Sequence, residues 1–272
     1  MVNNSKHIEA GGIITNYHEA GQGENVLLIH GSGPGVTAWA NWGKVFPELS
    51  KSFHLYAPDL VGFGYTERKE GVKYNVDVWV DHLISFIETL NIAPLCIVGN
   101  SLGGALALHL SYRRPDLVKK VVLMGAAGIR FEITKGLDDV WGYTPSLENM
   151  GNLIKTFSYG QEFANNETLI KMRYEASIQD GLQEAFSSMF PAPRQQHVDA
   201  IALSEDQLRE IKTPMLLIHG REDQVIPVES TSWRLSQILE NAELHVFSKC
   251  GHWTQIEKAK PFVNLVTNFF QE

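Results

Sequence analysis

Short apolar runs alternate with windows of helical periodicity along this chain. Val26–His30, Phe53–Ala57, Leu95–Val98, Lys120–Met124, Met215–His219 and Glu243–Phe247 are such runs, most of them closed by Gly or Pro. Runs of this length between turn residues read as buried strands. Between them, Val76, Val80, Leu83, Ile84, Ile87 and Leu90 fall on one helical face. Ser101–Tyr112 reads as a helix stopped before Pro115, and Pro261–Phe270 as a terminal helix. Residues 7–20 predict an opening hairpin about Gly11-Gly12. The alternation predicts an α/β protein with a mostly parallel central sheet and helices on both faces.

One stretch breaks the rhythm. Residues 133–206 carry helical windows and turn signals but no strand pattern, and a segment that long is not a plain loop. The predicted organisation is a core in two parts, 1–132 and 207–272, with a helical lid over 133–206.

Composition narrows the function classes. At 272 residues with 44% apolar and 20% charged side chains, the chain can bury a large core, which excludes disordered and fibrous classes. A formal net charge of −8 argues against a nucleic-acid partner or an anionic membrane surface, although one local Arg can still serve a small anion. Cys96 and Cys250 are the two cysteines, too few and too far apart for a disulfide framework or a metal site. The start, Met1–His7, is polar without a signal-peptide core, and no apolar run could span a bilayer. A soluble cytoplasmic protein is expected.

The chemistry gathers at strand ends. Gly99-Asn100-Ser101-Leu102-Gly103 fits G-x-S-x-G, a weak motif alone. Its place between a strand and a helix is where a nucleophile elbow must sit. A serine hydroxyl needs a base and an orienting carboxylate, in the chain order Ser, acid, His. His252 follows the last strand. Asp223 follows the strand 215–219, with Glu222 as its neighbouring competitor. His30 and His219 end strands at His-Gly pairs and read as structural, and Asp59 reads as a turn former. The oxyanion hole needs two backbone donors. The Leu102 amide is one, and the Gly-rich loop His30–Gly35 offers Ser32, flanked by Gly31 and Gly33, as the other. No metal and no organic cofactor is expected.

With these residues on view, the chain resembles the meta-cleavage product hydrolases, α/β-hydrolases that cut a carbon–carbon bond in bacterial aromatic degradation. His30–Trp42, Gly99–Gly104 and Ser248–Trp253 carry the resemblance in the core. Trp141–Met150 and Met189–Arg194 carry it in the lid, where the chain is most like the monocyclic branch that acts on 2-hydroxymuconate semialdehyde and its 6-alkyl analogues. One departure is Leu102, where many members have Phe or Met.

The resemblance implies a small-molecule 2-hydroxy-6-oxo-hexa-2,4-dienoate as substrate. Asn41 and Asn100 would hydrogen-bond its dienoate end, Arg173 would pair with its carboxylate, and Trp253 would pack beside it. Trp141 is an expected apolar pocket residue. A homo-oligomer, dimer or larger, is also expected. Two alternatives stand beside this one: a carboxylesterase of the same fold and a non-catalytic ligand-binding hydrolase.

Overall fold

The computed structural model describes residues 5–272; residues 1–4, part of the polar start, lie outside the described residues. Eight strands form one sheet: β1 (Lys6–Ala10), β2 (Ile13–Ala20), β3 (Glu24–Ile29), β4 (Phe53–Pro58), β5 (Leu95–Asn100), β6 (Val118–Met124), β7 (Met215–Gly220) and β8 (Ala242–Phe247). Their spatial order is β1-β2-β4-β3-β5-β6-β7-β8. β1 pairs antiparallel with β2, and β2 antiparallel with β4. All pairings from β4 onward are parallel.

The uniformly apolar runs are explained by the pleat. Successive side chains point to opposite faces, so a strand covered on both sides needs no polar alternation. Val26 and Leu28 of β3, Cys96 and Val98 of β5 and Leu216 and Ile218 of β7 pack into one core with Phe262 and Val266 of the terminal helix. Leu27, Ile29, Leu95, Ile97, Met215 and Leu217 pack into the other, beneath the helices Val76–Leu90 and Leu102–Arg113.

The helix Val76–Leu90 starts where the Asn75 side chain accepts the Val78 amide, and ends at left-handed Asn91. Its buried face differs from the one read from periodicity. Trp79, Val80, Leu83, Phe86 and Ile87 are buried, while Val76, Ile84 and Leu90 are only partly so. Trp79 turns the helix: its Nε1 donates to Val61 O at 3.1 Å and its ring packs at a tilt near Phe63 and Phe190.

Between β6 and β7 the chain is helical, from Lys135–Trp141 through Leu147–Phe157, Gln161–Ala164, Glu167–Ser177, Leu182–Met189 and Gln195–Ala200 to Glu205–Glu210. The last helix crosses the expected boundary at 206. The strands β3, β5, β6, β7 and β8 all point their carboxyl ends at this layer, and an open α/β sheet places its site there.

Candidate active site

Ser101 joins β5 to the helix Leu102–Arg113 with φ 54° and ψ −114°, a conformation rarely held by a residue with a side chain. The turn is enforced by close packing. A Cβ on Gly99 would fall 2.4 Å from Gly103 O, and one on Gly103 would fall 2.2 Å from Ile29 O. The Ser101 amide donates to Met124 O at 3.0 Å, tying the elbow to β6. As the first helical residue, Leu102 has an N–H with no intrahelical acceptor.

Asp223 is buried on the loop after β7. Its Oδ1 accepts the amides of Val225 (2.8 Å) and Ile226 (2.9 Å), and its Oδ2 accepts His252 Nδ1 at 2.7 Å. Burial alone would raise its pKa, but the charge of His252 and hydrogen bonds from His219 and His252 outweigh that and hold the carboxyl well below the usual carboxylate range. Glu222 points elsewhere, accepting from Arg221 and from the Cys250 amide. Ser101 and His252 line one cavity with no hydrogen bond between their side chains; such pairs tighten when substrate binds.

Gly125 closes the site from β6. It has φ 49°, and a Cβ there would stand 3.1 Å from His252 Nδ1 and 3.3 Å from Asp223 Oδ2. Cys250 is buried in the same loop, where burial pushes its thiol up to about 12, so it stays protonated and unreactive.

The Gly31–Gly33 turn, where the second oxyanion donor is expected, is fixed by His30. His30 Nδ1 donates to Gly31 O at 2.7 Å and its Nε2 accepts the Leu60 amide at 2.9 Å. A trans peptide points its N–H opposite its C=O. Holding the Gly31 carbonyl therefore turns the Ser32 N–H to the other side. Gly31 and Gly33 line the cavity with Ser32. Trp141, expected in the pocket wall, stands behind it: its Nε1 donates to Ser32 Oγ at 3.0 Å, and its ring stacks on Phe190.

Asn41, Asn100, Arg173 and Trp253 also line the cavity. Asn100 Nδ2 donates to Met124 O at 3.2 Å. Arg173 comes from the helix Glu167–Ser177, whose end packs so tightly on the Gly-rich loop that a Cβ on Gly35 would meet Ser177 N at 2.6 Å. Its Nη2 donates to Ala40 O at 2.9 Å, its guanidinium lies 5.4 Å from the Trp253 ring, and its Nε is buried without a partner. Burial lowers this guanidinium to about 10. Asn41 Nδ2 is likewise a buried donor without a partner. Leu137, Val140, Met150, Ile154 and Val225 contribute apolar lining.

Several residues here were not legible in the sequence. Phe157 stacks on both His252 and Trp253, and its carbonyl accepts both their amides. Glu257 accepts the amides of Tyr159, Gly160 and Gly251, joining the lid to the His252 loop. Gln255 lines the cavity and donates to Asn41 O. Apart from Gly251, their partners lie far away in the chain, so no local pattern announces them. Among the described residues, no cluster of His, Cys, Asp or Glu is placed to hold a metal, and no helix is long and apolar enough to cross a membrane.

The sheet, the strained Ser101 turn and the carboxylate–imidazole pair at the carboxyl edge define an α/β-hydrolase, and residues 24–259 match the family described as alpha/beta hydrolase fold. The chain is 52% identical to 2-hydroxy-6-oxo-2,4-heptadienoate hydrolase of Pseudomonas putida, over 96% of this chain and 94% of that protein. It is 51% identical to 2-hydroxymuconate semialdehyde hydrolase of Pseudomonas sp. strain CF600, over 98% and 94%. The meta-cleavage product hydrolase CumD of Pseudomonas fluorescens, solved as a serine-to-alanine mutant complexed with acetates, superposes with a TM-score of 0.96 at 52% identity, covering 98% of this chain and 97% of CumD. The chain belongs to the meta-cleavage product hydrolases of the α/β-hydrolase fold.

Proposed function

We propose that the chain hydrolyses the C5–C6 bond of 2-hydroxy-6-oxo-hexa-2,4-dienoates, 2-hydroxymuconate semialdehyde or its 6-alkyl analogues, to 2-hydroxypenta-2,4-dienoate and a carboxylic acid. One observation carries this reading. The Arg173 guanidinium is enclosed in the cavity wall with an unpaired Nε, and its one hydrogen bond is to a backbone carbonyl. A buried cation without a counterion is costly, so the cavity calls for an anionic ligand. A general esterase has no use for it.

In this reading Arg173, Asn41 and Asn100 hold the dienoate end while the C6 substituent lies toward Leu137, Val140 and Met150. His252, oriented by Asp223, relays a proton from the dienol to C5, giving the ketone. The C6 carbonyl then accepts attack by Ser101 Oγ, or by a water that Ser101 and His252 activate. The Ser32 and Leu102 amides hold the oxyanion, one such donor being worth about 3 kcal/mol. C5–C6 cleavage passes the bonding electrons through C5 into the chain and regenerates the dienol; where Ser101 Oγ is the attacking group, a water activated by His252 then hydrolyses the Ser101 ester, freeing the carboxylic acid and the hydroxyl. The helices over 133–206 serve as the lid, and the protein works in the cytoplasm as a homo-oligomer, which light scattering checks.

The deciding experiment mixes the purified protein with the yellow ring-fission products of catechol, 3-methylcatechol and 3-isopropylcatechol. Loss of colour is expected, and its rates rank the C6 substituents. Persistent colour with rapid p-nitrophenyl acetate hydrolysis would establish the esterase instead.

A further inference from the structure

β8 ends the sheet, so no strand lies beside its outer edge. On its inner side Met215 N donates to Asn241 O and Arg221 N to Phe247 O, with Leu217 level with Leu244. In a parallel ladder these groups alternate along the strand, so residues 241, 243, 245 and 247 turn their N–H and C=O toward β7. Ala242, Leu244 and Val246 turn theirs outward, where they find no partner among the described residues.

An open edge pairs readily, and proteins blunt it with Pro, Lys, a bulge or a very short strand. β8 has none of these: it is six residues, Ala-Glu-Leu-His-Val-Phe, in unbroken register with β7. Val246 is 39% exposed along it. The opposite edge of the sheet, β1, is instead studded with Lys6, His7 and Glu9.

The strand is complementary to itself. A two-fold axis across an antiparallel pair must bring outward residues against outward residues. Centred on Leu244, it sets Leu244 against Leu244 and Val246 against Ala242 at both ends, and each such pair exchanges two backbone hydrogen bonds. Glu243 then stands opposite His245 of the partner subunit, twice over, in the positions where side chains lie closest. Glu243 is exposed, and His245 is half-exposed with Phe247 packed edge-on against its ring at 4.3 Å. An imidazole N–H donates to a carboxylate whether or not the ring is charged. Centred on Glu243 or His245, the axis would oppose two carboxylates or two imidazoles; centred on Ala242 or Val246, it would shorten the ladder.

We propose that β8 is a dimer interface, through which two copies of the chain join edge to edge and one sheet runs through both. The proposal rests on the homo-oligomer of the functional reading, not on the reaction. Antiparallel pairing sends the two carboxyl edges to opposite ends of the seam, so neither active site is covered by the other subunit.

Light scattering and cysteine crosslinking test this. The unaltered protein should have the mass of two chains or an even multiple. Cys96 and Cys250 are buried, so introduced thiols report alone. Glu243→Cys/His245→Cys should run as a dimer on a non-reducing gel after mild oxidation, because opposed positions of this kind have Cα atoms about 4.5 Å apart. Glu243→Cys alone should not. His245→Glu should weaken the dimer about tenfold or more, and Glu243→Lys/His245→Glu should restore it. A monomeric unaltered protein overturns both the interface and the assembly. An oligomer whose double-cysteine variant stays uncrosslinked, or whose Glu243→Cys variant crosslinks equally well, overturns the interface alone. So does a dimer that withstands His245→Glu, or a folded charge-swapped protein that stays apart. If a charge variant does not fold, the cysteine pair decides. Failure of the assigned reaction shows separately, as ring-fission products that keep their colour.

Discussion

His219 Nε2 stands 3.2 Å from Asp223 Oδ2, the same carboxylate oxygen that His252 Nδ1 reaches at 2.7 Å. His219 comes from the end of β7, just before the Asp223 loop, and His252 from the separate loop after β8. His219 Nδ1 accepts the Ser232 hydroxyl at 2.7 Å, which leaves its Nε2–H to be shared between Asp223 and Ile226 O at 2.8 Å. A residue that reads as structural in the sequence therefore supports the acid of the proposed triad.

Replacing His219 should loosen that carboxylate without touching the substrate. His219→Phe is expected to lower kcat about tenfold with KM nearly unchanged, the pattern of a lost positioning contact. His219→Gln, which keeps a donor, should recover most of the rate. Steady-state kinetics on a ring-fission product checks both.

Arg173 separates substrates. Arg173→Ala should reduce kcat/KM for the dienoate about a hundredfold or more and leave p-nitrophenyl acetate hydrolysis within about threefold, since only the former carries a carboxylate. Equal losses on the two substrates would defeat the carboxylate clamp.

Gly251 lies where the lid touches the His252 loop: a Cβ there would stand 2.7 Å from Phe157 O and 3.0 Å from Tyr159 N. Both neighbours are backbone and cannot rotate aside. Gly251→Ala should cost about 1–3 kcal/mol, read as a lowered Tm, and should reduce kcat because His252 moves with its loop.

Stability should fall in mild acid. Burial pulls His82 and His109 down to about 4, whereas an unfolded histidine titrates near 6.5. Between those values the unfolded chain binds protons that the folded chain refuses, so these two histidines cost the folded state stability as pH drops from about 6.5 to about 4; below that their loss is complete, and the depressed Asp223 carboxyl adds its own. Each histidine contributes at most about 3 kcal/mol to this loss. Urea midpoints at pH 7.5, 5.5 and 4.5 should decline in that order, and His82→Gln should flatten the slope.

The strands and the elbow were legible because their signals are local: apolar runs closed by turn residues, and glycines where the backbone has no room. Ser101, Asp223 and His252 could be placed on strand-end loops for the same reason. The order of strands and the antiparallel seat of β2 against β4 depend on pairings that no local window contains. So does the helix face centred on Trp79 and Phe86, which is chosen by the lid aromatic Phe190 as well as the sheet. Trp141 shows the limit in the site: an aromatic in the lid could be expected near substrate, but only the fold reveals that Ser32 claims its N–H. Gln255 was missed because the group that orients it, Asn41 O, is 214 positions away.

The bend at position 101 is held by its neighbours: glycines 99 and 103 beneath it and the Met124 carbonyl beside it. None of these restraints involves the hydroxyl. The scaffold would present an aspartate or a cysteine at the same point with little rearrangement, so the framework can be inherited intact while the reagent it displays is exchanged. Diversity of chemistry on this architecture then requires one codon at the apex and changes in the surrounding wall, with the β-sheet left as it is.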